Sequence, residues 1–207
     1  MATKQNYEKL LSAPNVQKML DLIANAEGVN HGYNTLFGNG RFSDFSAHPN
    51  QSKQFTQTDG KKNSTTAAGR YQFLKSTWDG VAKKLGLEDF SPKNQDIAAV
   101  ALLAENGALP HVLKGDLQTA VKKSGGTWAS LPSSNYAQPK KSWDFINKQL
   151  GGQYQANSYE PEMVPKNMIA EKSNYEPELV PKTMMQTQQN LQQQVYEPEL
   201  VPANMLT

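Results

Sequence analysis

Apolar positions recur at helical spacing along the first 150 residues, and past residue 151 that recurrence stops. Val16, Leu20, Ile23 and Ala26 follow an i, i+4, i+7 rule and predict a helix, with Pro14 tolerated near its start. Gly28 stops that helix and leaves Glu27 in its last turn. Residues 28–69 are rich in Gly, Asn, Ser and Thr with scattered aromatics, which predicts loops and short strands with turns at Asn39-Gly40 and Asp59-Gly60. Tyr71, Leu74, Trp78, Val81 and Leu85 form the strongest helical stripe, closed by Gly86. Ser91-Pro92 supplies the cap and first turn of another helix running through Ile97, Val100 and Leu103. Shorter helices are expected near 116–123 and 140–149, with a loop from Trp128 to Pro139 between them. The fold class is α+β: mostly helical, with a small β/loop segment after the first long helix.

Gly151-Gly152 divides the chain into a body, 1–151, and an extended non-globular tail, 152–207. In the tail, Tyr159 to Met168 (YEPEMVPKNM) returns as Tyr175 to Met184 (YEPELVPKTM) and again as Tyr196 to Met205 (YEPELVPANM). The starts are 16 and 21 residues apart, so the tail is one short peptide written three times on unequal linkers and not a solenoid.

Composition narrows the function. The 207 residues suffice for one ordinary domain with an appendage, and a mean hydropathy of −0.68 leaves part of the chain too polar to pack a core. No stretch approaches the ~20 apolar residues of a membrane span, so membrane insertion is not expected. The N-terminus shows no apolar h-region, so export is expected through a lysed membrane or by carriage in an assembly. The absence of cysteine excludes disulfides, thiolate metal sites and cysteine nucleophiles. The body carries 18 Lys/Arg against 12 Asp/Glu and the tail 3 against 7, which makes a basic body (net +6) with an acidic appendage (net −4). A basic body suits an anionic polymer, nucleic acid or cell wall. At a pI of 8.6, Lys61-Lys62 and Lys140-Lys141 read as solvated faces, and no nucleic-acid partner is expected.

A carboxylate at a helix C-terminus is disfavoured by the macrodipole, which raises its pKa and suits a general acid. Cleaving a glycosidic bond needs such an acid, protonated near neutral pH. Glu27 is the candidate. Around it, Ala26-Glu27-Gly28-Val29-Asn30-His31-Gly32-Tyr33-Asn34 resembles the catalytic segment of lambda-type phage endolysins. Ala68-Gly69-Arg70-Tyr71-Gln72-Phe73-Leu74 resembles their second signature. Leu85-Gly86-Leu87, Phe90-Ser91-Pro92, Gln95-Asp96, Gly107-Ala108-Leu109 and Trp128-Ala129-Ser130-Leu131-Pro132 follow in family order across residues 15–150. The tail has no counterpart in that resemblance.

The resemblance implies a lysozyme-like fold and cleavage of the β-1,4 bond between N-acetylmuramic acid and N-acetylglucosamine in peptidoglycan glycan strands. It implies a lytic transglycosylase with Glu27 as its one catalytic carboxyl, leaving 1,6-anhydro ends without a cofactor. It also implies substrate contacts from His31, Tyr33, Asn34, Tyr71 and Gln72, and from Tyr136 and Gln138 on a mobile lower lip. Tyr71 equally fits the core, and Tyr136 a plain flexible loop. Ser133-Ser134-Asn135 and Pro139 depart from the family's glycine-richer lip. A hydrolase would need a second carboxylate, for which Asp44 and Asp59 are candidates; the competing role for both is in turns or caps. His31, His48 and His111 show no metal-ligand spacing, and no metal is expected.

The tail peptides hold extended geometry through their prolines and bury too little surface to fold alone. Their matched positions (Tyr159, Pro161, Val164 and Met168; Tyr175, Pro177, Val180 and Met184; Tyr196, Pro198, Val201 and Met205) predict linear docking motifs. Linkers of six and eleven residues span at most ~21 and ~38 Å. Three such motifs suit a symmetric partner, a phage tail or core protein, and would place the enzyme in the virion to act on the host cell wall. The alternatives are a free endolysin with an accessory or solubilising tail, a tail that inhibits the basic body, and a virion structural protein without activity.

Overall fold

The computed structural model describes residues 2–151. Along the chain run α1 (Lys4–Leu10), α2 (Pro14–Glu27), a 3-10 turn (Gly32–Asn34), β1 (Thr35–Leu36), β2 (Gly40–Arg41), β3 (Lys53–Thr56) and β4 (Lys62–Thr65). Then come α3 (Lys75–Leu85), α4 (Pro92–Glu105), α5 (Leu109–Leu113), α6 (Leu117–Ser124) and α7 (Trp143–Gln149). The class is α+β, and the repeat residues Tyr159 to Met205 lie outside the described residues.

The centre of the body is α4. Eight consecutive residues, Ile97 to Ala104, are buried, so this helix has no polar stripe, as expected of a helix enclosed on all sides. Helices α1, α2, α3 and α5 pack around it. Ile97, Val100 and Leu103 are each fully buried, a placement that contributes roughly 1.5–3 kcal/mol per side chain. Helix α2 turns Val16, Met19, Leu20, Ile23 and Ala26 to this core, and those residues include all four positions of the periodic stripe.

Helix α1 goes beyond what periodicity announces. Only two turns long, it starts at a reciprocal cap in which Thr3 and Asn6 exchange side-chain and backbone hydrogen bonds, and it buries Tyr7 against the core. At α6 and α7 the caps are Asp116 on the Thr119 amide and Ser142 on the Phe145 amide.

The stripe from Tyr71 is corrected at its start: α3 begins at Lys75, and Tyr71 to Leu74 are not helical. Ala68 and Phe73 exchange backbone hydrogen bonds of 3.0 and 2.8 Å across a tight turn. Its left-handed residues, Gly69 (φ +81°) and Gln72 (φ +49°), cannot belong to a right-handed helix. At Gly69 an added Cβ would strike Gln95 Oε1 and Phe90, so glycine answers both the dihedral and the space. The strands form two antiparallel pairs, β1 with β2 and β3 with β4, the second in the register Lys53 to Thr65 through Thr56 to Lys62.

His48 fastens this turn to the body. Its Nδ1 accepts from the Asn50 amide at 3.1 Å, so the ring proton sits on Nε2, which donates to the Phe73 carbonyl at 2.8 Å. The ring is buried against Phe90, and burial holds its pKa below the usual value of 6.5. The unfolded chain therefore takes up a proton before the folded one, and stability falls as pH drops below about 6.5. In urea unfolding between pH 7 and 5, His48→Asn, which keeps an acceptor for Asn50, should show a shallower loss of stability than wild type; equal slopes would contradict the assignment.

Candidate active site

Glu27 is the last residue of α2, and the chain leaves the helix through Gly28 at φ +69°. The residue is half-buried at the protein surface. Burial is the main reason its pKa is pushed up to about 7. Hydrogen bonds from the Ser130 side chain and backbone, together with the positive charge of Lys141, pull the other way without offsetting it. The C-terminal dipole of α2 acts in the same direction as burial. Ser130 Oγ donates to Glu27 Oε1 at 2.6 Å, a short bond of the charge-assisted kind.

A polar circuit starts on the same helix, at Asp21, and runs to the loop that carries Ser130. Asp21, on α2, pairs with Arg70. Arg70 Nη1 donates to the Tyr33 hydroxyl at 2.9 Å, and its guanidinium lies 5.2 Å from the Tyr33 ring centre. The Tyr33 and Tyr71 hydroxyls donate to the two oxygens of Asp96 at 3.0 and 2.6 Å. The Trp128 indole donates to the Tyr71 carbonyl at 3.3 Å, and two residues on is Ser130. Asp96 carries a raised pKa through burial, eased by the hydroxyls of Tyr71 and Tyr33. Gln95 crosses behind the circuit: its amide donates to the carbonyls of Tyr33 and Phe90, and its oxygen accepts from the Arg70 amide. Buried polar groups paired this fully hold one arrangement.

The expected substrate residues fall into distinct settings. Tyr71 is fully buried and belongs to the core as well as to the circuit. The hydroxyl of Tyr33 is engaged by Arg70 and Asp96. Asn34 holds the Phe42 carbonyl, the His31 amide donates to Thr35 Oγ1, and Gln72 donates from its amide to the carbonyls of Thr35 and Gly69. Tyr136 donates its hydroxyl to the Gly126 carbonyl, and its own carbonyl accepts from the Gln138 amide. The β3–β4 hairpin meets this lip where the Thr58 amide donates to the Ala137 carbonyl at 3.0 Å.

Asp44 and Asp59 occupy exposed turns, where they accept from the amides of Ser46 and Lys61; Asp59 also pairs with the Lys61 ammonium at 3.2 Å. Those bonds hold both carboxyls below the usual range, and neither joins Ser130 and Lys141 in acting on Glu27. Among the described residues no cluster of His, Asp and Glu could hold a metal ion, and no helix is long and apolar enough to cross a membrane. Sequence reasoning missed Ser130 and Lys141. A serine inside a Trp-Ala-Ser-Leu-Pro run has no periodicity or charge to single it out, although the run itself was part of the resemblance.

The geometry can be set beside known proteins. The Endolysin family matches residues 17–157. The endolysin of Escherichia phage lambda is 42% identical over 127 residues, 58% of this chain and 78% of that protein. The endolysin of Escherichia phage P2 is 35% identical over 144 residues, 62% of this chain and 86% of that protein. The structure of bacteriophage lambda lysozyme complexed with a chitohexasaccharide aligns with a TM-score of 0.59 at 39% identity, over 67% of this chain and 93% of that one. A second lambda lysozyme structure aligns with a TM-score of 0.53 at 38% identity, over 65% and 86%. With the lysozyme fold and the family match in agreement, this chain belongs to the endolysin family.

Proposed function

We propose that this endolysin degrades peptidoglycan as a lytic transglycosylase, with Glu27 acting first as acid and then as base. In the first half, protonated Glu27 gives its proton to the glycosidic oxygen between N-acetylmuramic acid and N-acetylglucosamine, and the C1–O bond breaks. In the second, the Glu27 carboxylate takes the proton of the muramic C6 hydroxyl, whose oxygen closes onto C1 as a 1,6-anhydro bond. Glu27 ends protonated, and no water is consumed. The observation that carries this reading is a single carboxyl whose pKa of about 7 lets it hold a proton and also release it near neutral pH. The exposed turn positions of Asp44 and Asp59 support a mechanism without a second carboxylate, since the nucleophile belongs to the substrate. The chitohexasaccharide on lambda lysozyme supports a glycan strand as the ligand.

The tail extends the proposal. Three copies of a Tyr-Pro-Val-Met docking peptide moor the enzyme to a symmetric virion protein, so that it reaches the host wall with the particle. The body's net +6 favours adhesion to anionic wall polymers, and it needs no contribution from the acidic tail.

Glu27→Gln keeps the shape but cannot cycle a proton, and lysis of purified cell walls should fall by roughly 10³-fold. The same variant should gain stability at pH 8. Folded Glu27 keeps its proton to about pH 7 while the unfolded carboxyl loses it near 4.5, so burial works against the fold above that window. Thermal melts should place Glu27→Gln several degrees above wild type at pH 8 and level with it at pH 4; a lower melting point at pH 8 would contradict the burial. Mass spectrometry of digested murein should find 1,6-anhydro ends, and reducing ends in their place would assign a hydrolase. Deleting residues 152–207 should remove the enzyme from particles with unchanged activity on soluble glycan; particles that keep it would overturn the mooring.

A further inference from the structure

The lip segment, residues 132–140, is bracketed at both ends by Ser130, the residue that bonds Glu27. Trp128 is buried with its indole on the Tyr71 carbonyl, and the Leu131 amide closes a turn on the Trp128 carbonyl at 3.2 Å. Ser130 is held inside that turn. Residues 132–140 then run over the body, with the Ser133 hydroxyl on the Val121 carbonyl at 2.6 Å and Ser134 buried, and the segment closes where the Lys141 amide donates to the Ser130 carbonyl at 2.7 Å. The Lys141 ammonium is retained on this side by the Phe145 ring, 5.2 Å away. Ser130 therefore has a backbone fixed from both directions and a hydroxyl directed at Glu27.

We propose that Ser130 is the positioning residue of the acid: its hydroxyl occupies Oε1 of Glu27 as a donor, confines the transferable proton to Oε2, and links that choice to the lip through Lys141. The inference rests on Glu27 being the acid and adds how its two oxygens divide the work. In this proposal Oε1 accepts from the Ser130 hydroxyl, and the neutral acid carries its proton on Oε2. Once that proton has gone to the leaving oxygen, the hydroxyl and amide of Ser130 steady the new carboxylate. Oε2 is assigned as the acceptor for the C6 hydroxyl proton. Lys141 is the charged group that bears on this balance, and it favours the carboxylate.

The test uses the full chain and soluble murein glycan between pH 5 and 9. Ser130→Ala should lower kcat by about 10–100-fold with KM within about twofold, because the proposed role acts through Glu27. The alkaline limb of kcat should move up by about one pH unit, since the anion has lost a donor. Ser130→Thr should restore both. Should alanine loosen the turn, Ser130→Thr against Ser130→Val gives the same comparison with shape held constant, the two differing in the hydroxyl. A limb that stays in place in the hydroxyl-free variants, or a threonine variant that behaves like valine, overturns the proposal. That result would leave the acid's own assignment intact so long as Glu27→Gln is inactive. A fully active Glu27→Gln would instead remove the reading on which the proposal stands.

Discussion

The site depends on a carboxyl held where water solvates it poorly. At the end of α2, Glu27 gains nothing from the helix dipole and loses solvation to the surrounding protein, so its anion is disfavoured twice. An acid left to those two effects would keep its proton and never serve as a base. Ser130 and Lys141 supply the opposing pull, and the balance falls near neutrality. A group meant to give a proton and take one back works best where neither form is strongly preferred. The cost is borne by the fold, in which a buried carboxylate destabilises the native state as pH rises.

The rest of the body keeps that balance from drifting. Helix α4 provides an apolar axis with nothing to gain from rotating, and α2 packs on it through the face opposite its polar residues. The circuit from Asp21 through Arg70, Tyr33, Asp96, Tyr71 and Trp128 ties three separate loops to one another. Because Asp21 starts the circuit on α2 and Ser130, two residues past Trp128, bonds Glu27 at the end of that helix, α2 is tied to both sides of the frame that places Ser130. Tight backbone at Gly69 and Gln72 is part of the same frame, since a relaxed turn there would withdraw Arg70 and Tyr71 from their partners.

How much of this was legible in the sequence follows from what leaves a pattern. The α2 stripe of Val16, Leu20, Ile23 and Ala26 was readable because one apolar face must recur every three or four residues, and Gly28 marked its end. The short helices α1 and α5 were not, because two turns or fewer carry too few positions for a period to show. Tyr71 and Leu74 matched the α3 stripe by spacing while being placed by a turn; periodicity reports which side chains are buried and is silent about backbone handedness. Glu27 was picked out as the candidate acid from its place at a helix end and from the motif around it. Its raised pKa was expected from the dipole, whereas burial is the larger cause. Ser130 reaches Glu27 across 103 positions of sequence, a contact that only the fold can make.

The central claim concerns one proton, and it can be observed without substrate. With ¹³C at the glutamate side-chain carboxyls, the resonance of Glu27 can be followed by NMR through a pH titration and assigned by its absence in Glu27→Gln. A midpoint near pH 7 is the expected result. A midpoint at the ordinary glutamate value of 4.5 would mean that the carboxyl is as well solvated as any surface glutamate, and the account of the site would be wrong.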